Sequence, residues 1–212
     1  MKTLPPSIII PGPVGQLEAL LDIPAHPTDH AVVICHPHPL YGGTMHNKVI
    51  TMLAKVCTEL GAMHLRFNYR GVGASEGEYG HLEGEVADAL AAIDWLAAHH
   101  PYQKLWLFGF SFGSYIAARA SIVRPCEQLL TVAPAVQHAQ FDALPTITCP
   151  WTIIQGEEDE IVPTPLVVEF AHSRAEKPTL LLLPECGHFF HGHLTLLKET
   201  LLAHFQPRIL DE

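Results

Sequence analysis

The tightest constraint on the fold of this chain is a five-residue segment, Gly109-Phe110-Ser111-Phe112-Gly113, set between an apolar run and a helical one. Leu105-Trp106-Leu107-Phe108 reads as a buried strand, and residues 114–121 read as a helix. A strand that turns straight into a helix with serine at the corner demands glycine on both sides, because side chains there would collide. The serine backbone is strained by so tight a turn, and its Oγ is thereby carried clear of the main chain. The same turn aims the N-terminus of the helix at the hydroxyl, so the Phe112 N–H is placed to donate to a negative charge developing beside it.

Around this corner, short apolar runs alternate with helical patterns, the signature of strand–helix–strand units building a parallel sheet. Residues 7–10 and 16–22 form an opening hairpin around Pro11-Gly12-Pro13, and residues 31–35 and 62–67 are buried strands. Helices are expected over 48–60, ending at Gly61, and over 82–99, stopped by Pro101. Later strands at 128–132, 151–155 and 179–183 alternate with helices near 165–172 and 193–205. The expected fold is therefore α/β, a mostly parallel sheet of about seven or eight strands with helices on both faces. No repeat or linker divides the pattern, so residues 1–212 are expected to form one domain.

Composition narrows the function classes. Hydrophobic residues make up 48% of the chain and charged ones 16%, enough to bury a full core. A formal charge of −10 and the lack of any basic run argue against nucleic acid as a partner. With 15 histidines the charge rises steeply below about pH 6.5, so solubility should become pH-sensitive there. Cys35, Cys57, Cys126, Cys149 and Cys186 are scattered and never spaced as C-x-x-C, which fits reduced thiols rather than a zinc or redox motif. The first residues lack a secretory signal and no apolar stretch reaches about 18 residues, so a cytoplasmic protein with no membrane partner is expected.

A serine hydroxyl is a weak nucleophile and needs a general base, normally an imidazole oriented by a carboxylate. The loop after the strand at 151–155, Gly156-Glu157-Glu158-Asp159-Glu160-Ile161-Val162-Pro163, offers four carboxylates, of which Asp159 is the choice for the acid. The loop after the strand at 179–183, Pro184-Glu185-Cys186-Gly187-His188, delivers His188 as the base, with His191 and His193 as neighbouring competitors. A second oxyanion donor should lie in the loop after the strand at 31–35, His36-Pro37-His38-Pro39-Leu40. Pro37 and Pro39 have no N–H, which leaves the backbone of His38, with Leu40 next, to pair with Phe112. A rival reading of His36, His38 and His46 as zinc ligands is disfavoured, because their spacing matches no recognised ligand set.

These residues together resemble the α/β-hydrolase superfamily. The loop H-P-H-P-x-x-G-G-x-x-x-N-K from His36 to Lys48 resembles its small bacterial, dienelactone-hydrolase-like serine hydrolases, although serine stands where dienelactone hydrolases carry cysteine. Phe67-Asn68-Tyr69-Arg70-Gly71-Val72-Gly73-Ala74-Ser75 is similar to the superfamily's R-G-x-G-x-S loop, a resemblance that makes Arg70 and Ser75 scaffold. Gly156-x-x-Asp159-x-x-Val162-Pro163 and Gly187-His188-Phe189-Phe190 are similar to its acid and histidine motifs, which supports Asp159.

Many such proteins insert a helical lid before the strand that bears the acid. Here only about fifteen residues, Pro134 to Cys149, are available, so no sizeable lid is expected. An open, shallow site bordered by Tyr41, Phe110, Phe112 and Phe189 follows as an expectation, suited to short acyl esters or thioesters. The resulting reading is a serine hydrolase with an acyl-enzyme on Ser111, no cofactor, a small-molecule ester substrate and room for a homodimer. An amidase, peptidase or acyltransferase on the same residues, or a binding protein that has lost the reaction, are the alternatives.

Overall fold

The computed structural model describes residues 6–138 and 141–210 of the chain. Its eight strands are β1 (Ile8–Gly12), β2 (Gly15–Asp22), β3 (His30–Cys35), β4 (Met63–Phe67), β5 (Lys104–Phe110), β6 (Gln128–Val132), β7 (Trp151–Gly156) and β8 (Thr179–Leu183). They form one sheet in the order β1-β2-β4-β3-β5-β6-β7-β8. The first two strands pair antiparallel to their neighbours and the remaining six run parallel. Four α-helices connect strands, α1 (Lys48–Glu59), α2 (Glu83–His99), α3 (Phe112–Val123) and α4 (Thr164–Ser173), and a fifth, α5 (Leu194–Leu210), follows β8.

Strand alternation divides the core into two layers. Ala31, Val33 and Cys35 of β3, with Leu105 and Leu107 of β5, pack on α2, α3 and α4. Val32 and Ile34, with Trp106, Phe108 and Phe110, face the opposite way and pack on α1 and α5. Burial on both faces explains why β3 and β5 read as continuous apolar runs rather than as alternating ones.

Some boundaries move, each for a local reason. The β5 strand runs on through Gly109 and Phe110, because its ladder with β6 continues through Gly109↔Thr131 and Phe110↔Val132. The first hairpin turns at Pro13 and Val14, so that Pro11 and Gly12 lie within β1. An edge strand tolerates Pro11, whose missing N–H leaves no ladder position unsatisfied on the open side. The helix at the C-terminal end begins at Leu194 and continues beyond residue 205, through Pro207.

Between β6 and β7 the described residues form turns and no helix, so nothing of lid size covers the C-terminal edge of the sheet. That edge is where β5, β7 and β8 deliver the residues singled out above.

Candidate active site

Ser111 occupies the corner between β5 and α3 with φ 54° and ψ −117°. A non-glycine residue in this region carries strain of about 1–3 kcal/mol, and two hydrogen bonds hold it there. The Ser111 N–H donates to the Val132 carbonyl at 2.8 Å, and the Ser111 carbonyl accepts from Ser114 N at 3.0 Å. The flanking glycines are fixed by contact: a Cβ at Gly109 would stand 2.1 Å from the Gly113 carbonyl oxygen, and one at Gly113 would stand 2.2 Å from the Cys35 oxygen.

The loops after β7 and β8 bring Asp159 and His188 to this corner. His188 Nε2 lies 3.1 Å from Ser111 Oγ, and His188 Nδ1 lies 2.8 Å from Asp159 Oδ2. The carboxylate of Asp159 also accepts from Ile161 N at 2.9 Å, Val162 N at 2.7 Å and Gln155 Nε2 at 2.9 Å. Burial alone would raise this carboxyl, but the bonds from His188 and from the Val162 and Ile161 N–H groups outweigh it and hold it below the ordinary carboxylate value. An ionised Asp159 can only accept, so its Oδ2 accepts from His188 Nδ1–H, which turns Nε2 toward the serine hydroxyl.

Asp159 is thus the carboxylate that reaches the imidazole among the four in its loop. Glu160 has a different place: its Oε2 accepts the His188 backbone N–H at 3.1 Å. That approach requires Gly187, where a Cβ would meet Glu160 Oε2 at 2.6 Å.

The loop after β3 is organised by its two buried ends. His36 is fully buried, with Nδ1 2.7 Å from the Pro37 carbonyl and Nε2 accepting from Tyr69 N at 3.1 Å. Burial holds this imidazole neutral, its pKa pushed down to about 3. With both nitrogens spent on backbone, His36 is a strut, and no group of three metal-ligating side chains occurs among the described residues.

Within residues 37–43 the prolines have no N–H. The N–H groups of Leu40, Tyr41, Gly42 and Gly43 are taken by His38 Nδ1, the His38 carbonyl, the Pro39 carbonyl and the His38 carbonyl respectively. The His38 N–H is the one left without an acceptor among the described residues, and the Phe112 N–H is likewise unclaimed. Beneath this loop Arg70 grips the buried Asp88 through both nitrogens, and Ser75 Oγ donates to the Asn68 carbonyl at 2.8 Å.

A cleft of about 240 Å³ opens beside Ser111. Tyr41 and Phe112, both expected at its border, line it beside His38, but Phe110 does not. It is fully buried toward α5, because it lies two residues beyond Phe108 on the same face of β5. Phe189 is also outside the lining: its ring stands edge-on to His188 and packs on Phe110. The cleft walls come instead from Tyr79, Leu82, Tyr115, Phe141 and Ile161. Tyr115 could have been found from the sequence, since it follows Ser111 by one helical turn. Tyr79 and Phe141 sit in loops with no periodic signal.

Comparison with known proteins agrees with this fold. Residues 26–144 match the family model described as serine aminopeptidase, S33. An α/β serine hydrolase homologue from Coxiella burnetii is 41% identical, with a TM-score of 0.92 over 96% of this chain and 99% of that one. A protein from Xanthomonas campestris, a member of the α/β serine hydrolases without a lid, is 36% identical with a TM-score of 0.90, covering 97% of this chain and 95% of its own. An uncharacterized protein of Rickettsia prowazekii is 38% identical over 162 residues, 74% of this chain and 68% of that relative. These likenesses do not reach the narrower dienelactone-hydrolase-like resemblance of the His36 loop.

Proposed function

This chain belongs to the serine hydrolases of the α/β-hydrolase superfamily, and from that premise we propose that it cleaves small, uncharged carboxylic esters or thioesters through an acyl-enzyme on Ser111. The observation that carries the reading is the 3.1 Å approach of His188 Nε2 to Ser111 Oγ beside a cleft whose lining, among the described residues, holds no Lys, Arg, Asp or Glu.

In the proposed cycle Ser111 Oγ attacks the carbonyl carbon while His188 Nε2 takes its proton. Asp159 fixes the imidazole and stabilises its charged form. The developing oxyanion accepts from the His38 and Phe112 N–H groups, which are prepaid in geometry because the prolines and the helix start hold them in place before reaction. His188 then returns the proton to the leaving alcohol or thiol, and water, activated by the same nitrogen, releases the acid.

The cleft supports the choice of substrate. Its volume of about 240 Å³ is below the range of about 300–1,000 Å³ usual for drug-sized ligands, which suits a short acyl group. A charged substituent would lose hydration there without meeting an Asp, Glu, Lys or Arg side chain among the described lining residues. The family description favours a second reading, a peptidase that takes a free amino terminus. That activity needs an acceptor for the α-ammonium, and the described lining residues supply no carboxylate.

A series of p-nitrophenyl esters from acetate to laurate, beside an aminoacyl p-nitroanilide, separates these readings. We expect the short esters to turn over fastest, the anilide to stay at background and Ser111→Ala to lose all turnover. Faster hydrolysis of the laurate would contradict the short-acyl assignment. Turnover of the anilide comparable to that of the esters would favour the peptidase, and no turnover by folded protein would favour a binding role.

A further inference from the structure

Cys126 and Cys149 are 23 residues apart in the chain, yet their Sγ atoms are 3.3 Å apart. Cys126 lies two residues before β6 and Cys149 two residues before β7, and the parallel register Leu129↔Trp151 brings these two strand starts side by side. Both are partly exposed, whereas Cys35, Cys57 and Cys186 are buried. Absence of a C-x-x-C spacing hid this pair from the sequence: the sheet, not the local chain, creates it.

We propose that Cys126 and Cys149 form a dithiol site that exchanges with small disulfides and closes an intramolecular disulfide across the starts of β6 and β7. The Cys126 S–H donates to the Cys149 sulfur. This bond pulls the Cys149 thiol down and pushes the Cys126 thiol up, so Cys149 is the first to react. Its thiolate attacks one sulfur of a disulfide RSSR, forming a mixed disulfide and expelling RS⁻. Cys126 then gives up its proton and attacks the Cys149 sulfur, expelling the second RS⁻. Two protein thiols are oxidised, one RSSR is reduced to two RSH, and the two protons pass to the leaving thiolates.

A disulfide needs its sulfurs at about 2.05 Å, so each must move by well under 1 Å, within reach of side-chain rotation. The bridge would close a loop that holds β6 and the connection bearing Phe141, at the end of the sheet opposite Ser111. It should therefore stabilise the fold by restricting the unfolded chain while leaving the hydrolytic site intact.

The test exposes the whole chain to oxidised glutathione, then counts thiols in denaturant, maps cross-linked peptides and records melting and ester turnover. We expect the thiol count to fall from five to three, a Cys126–Cys149 peptide, a Tm rise of about 5–10 °C reversed by dithiothreitol, and turnover unchanged within about twofold. Cys126→Ser should leave a persistent glutathione adduct on Cys149, and Cys149→Ser one on Cys126, because neither variant keeps the second thiol that closes the bridge. Five thiols remaining, a bridge between two chains, or single-cysteine variants that take no adduct would overturn the proposal.

Discussion

Contact distances at the Ser111 corner leave little freedom to the residues around it. With the Cys35 carbonyl oxygen 2.2 Å from a Cβ at residue 113, Gly113→Ala forces backbone apart and should cost about 3 kcal/mol or more, read as a drop in urea midpoint. Asp159→Asn keeps the shape of the acid but presents an amide to His188 Nδ1, favouring the wrong tautomer. Turnover should fall by about 10³–10⁴-fold with little change in stability, whereas a loss under tenfold would mean that another group orients the imidazole. Phe110 and Tyr41, both expected to border the cleft, separate by the same logic. Phe110→Ala empties a fully buried site and should cost about 3–5 kcal/mol. Tyr41→Ala, at a residue 87% exposed, should change KM and leave the urea midpoint nearly unmoved. Ser111 was legible because it follows the buried strand β5 between two glycines, and His188 because a glycine precedes it in the loop after the apolar strand β8. Strand alternation from Phe108 puts Phe110 on the buried face of β5, so Phe110 belongs to the core rather than to the border of the cleft.

At the scale of elements, the strands and helices were legible because the layers of this fold impose continuous apolar runs on β3 and β5 and helical periodicity on α1. The cleft was not, because Tyr79, Tyr115, Phe141 and Ile161 come from four separate segments that only the sheet order brings together. The connection from β6 to β7 is too short to be a lid, yet Ala135, Gln137, His138 and Phe141 make it one wall of the cleft. Phe141 packs edge-on against Tyr115 and Phe170, which anchors that wall to α3 and α4. Phe141→Ala should therefore enlarge the acyl side and shift preference toward longer esters, measured as the ratio of kcat/KM for octanoate over acetate. An unchanged ratio would place the acyl group elsewhere in the cleft.

Over the whole molecule, the histidines make stability depend on pH with a definite sign. His36 is held neutral by burial, its pKa about 3 against about 6.5 in the unfolded chain, and burial also lowers His30, His38, His64 and His204. Between these values the unfolded chain binds more protons than the native one, so stability is complete above about pH 6.5 and is lost as pH falls toward 3. The His36 part of this slope should be about 1.4 kcal/mol per pH unit. Urea midpoints at pH 8 should exceed those at pH 5, and His36→Gln should flatten the difference; an unchanged slope would mean that His36 does not titrate on unfolding. The central claim, that Ser111 is the activated nucleophile, is tested most directly by intact mass and peptide mapping after treatment with a fluorophosphonate. One covalent adduct on Ser111, absent from Ser111→Ala and formed much more slowly in a variant with His188 replaced by Gln, is the predicted result. A folded protein that takes no adduct, or takes it at another residue, would contradict the account.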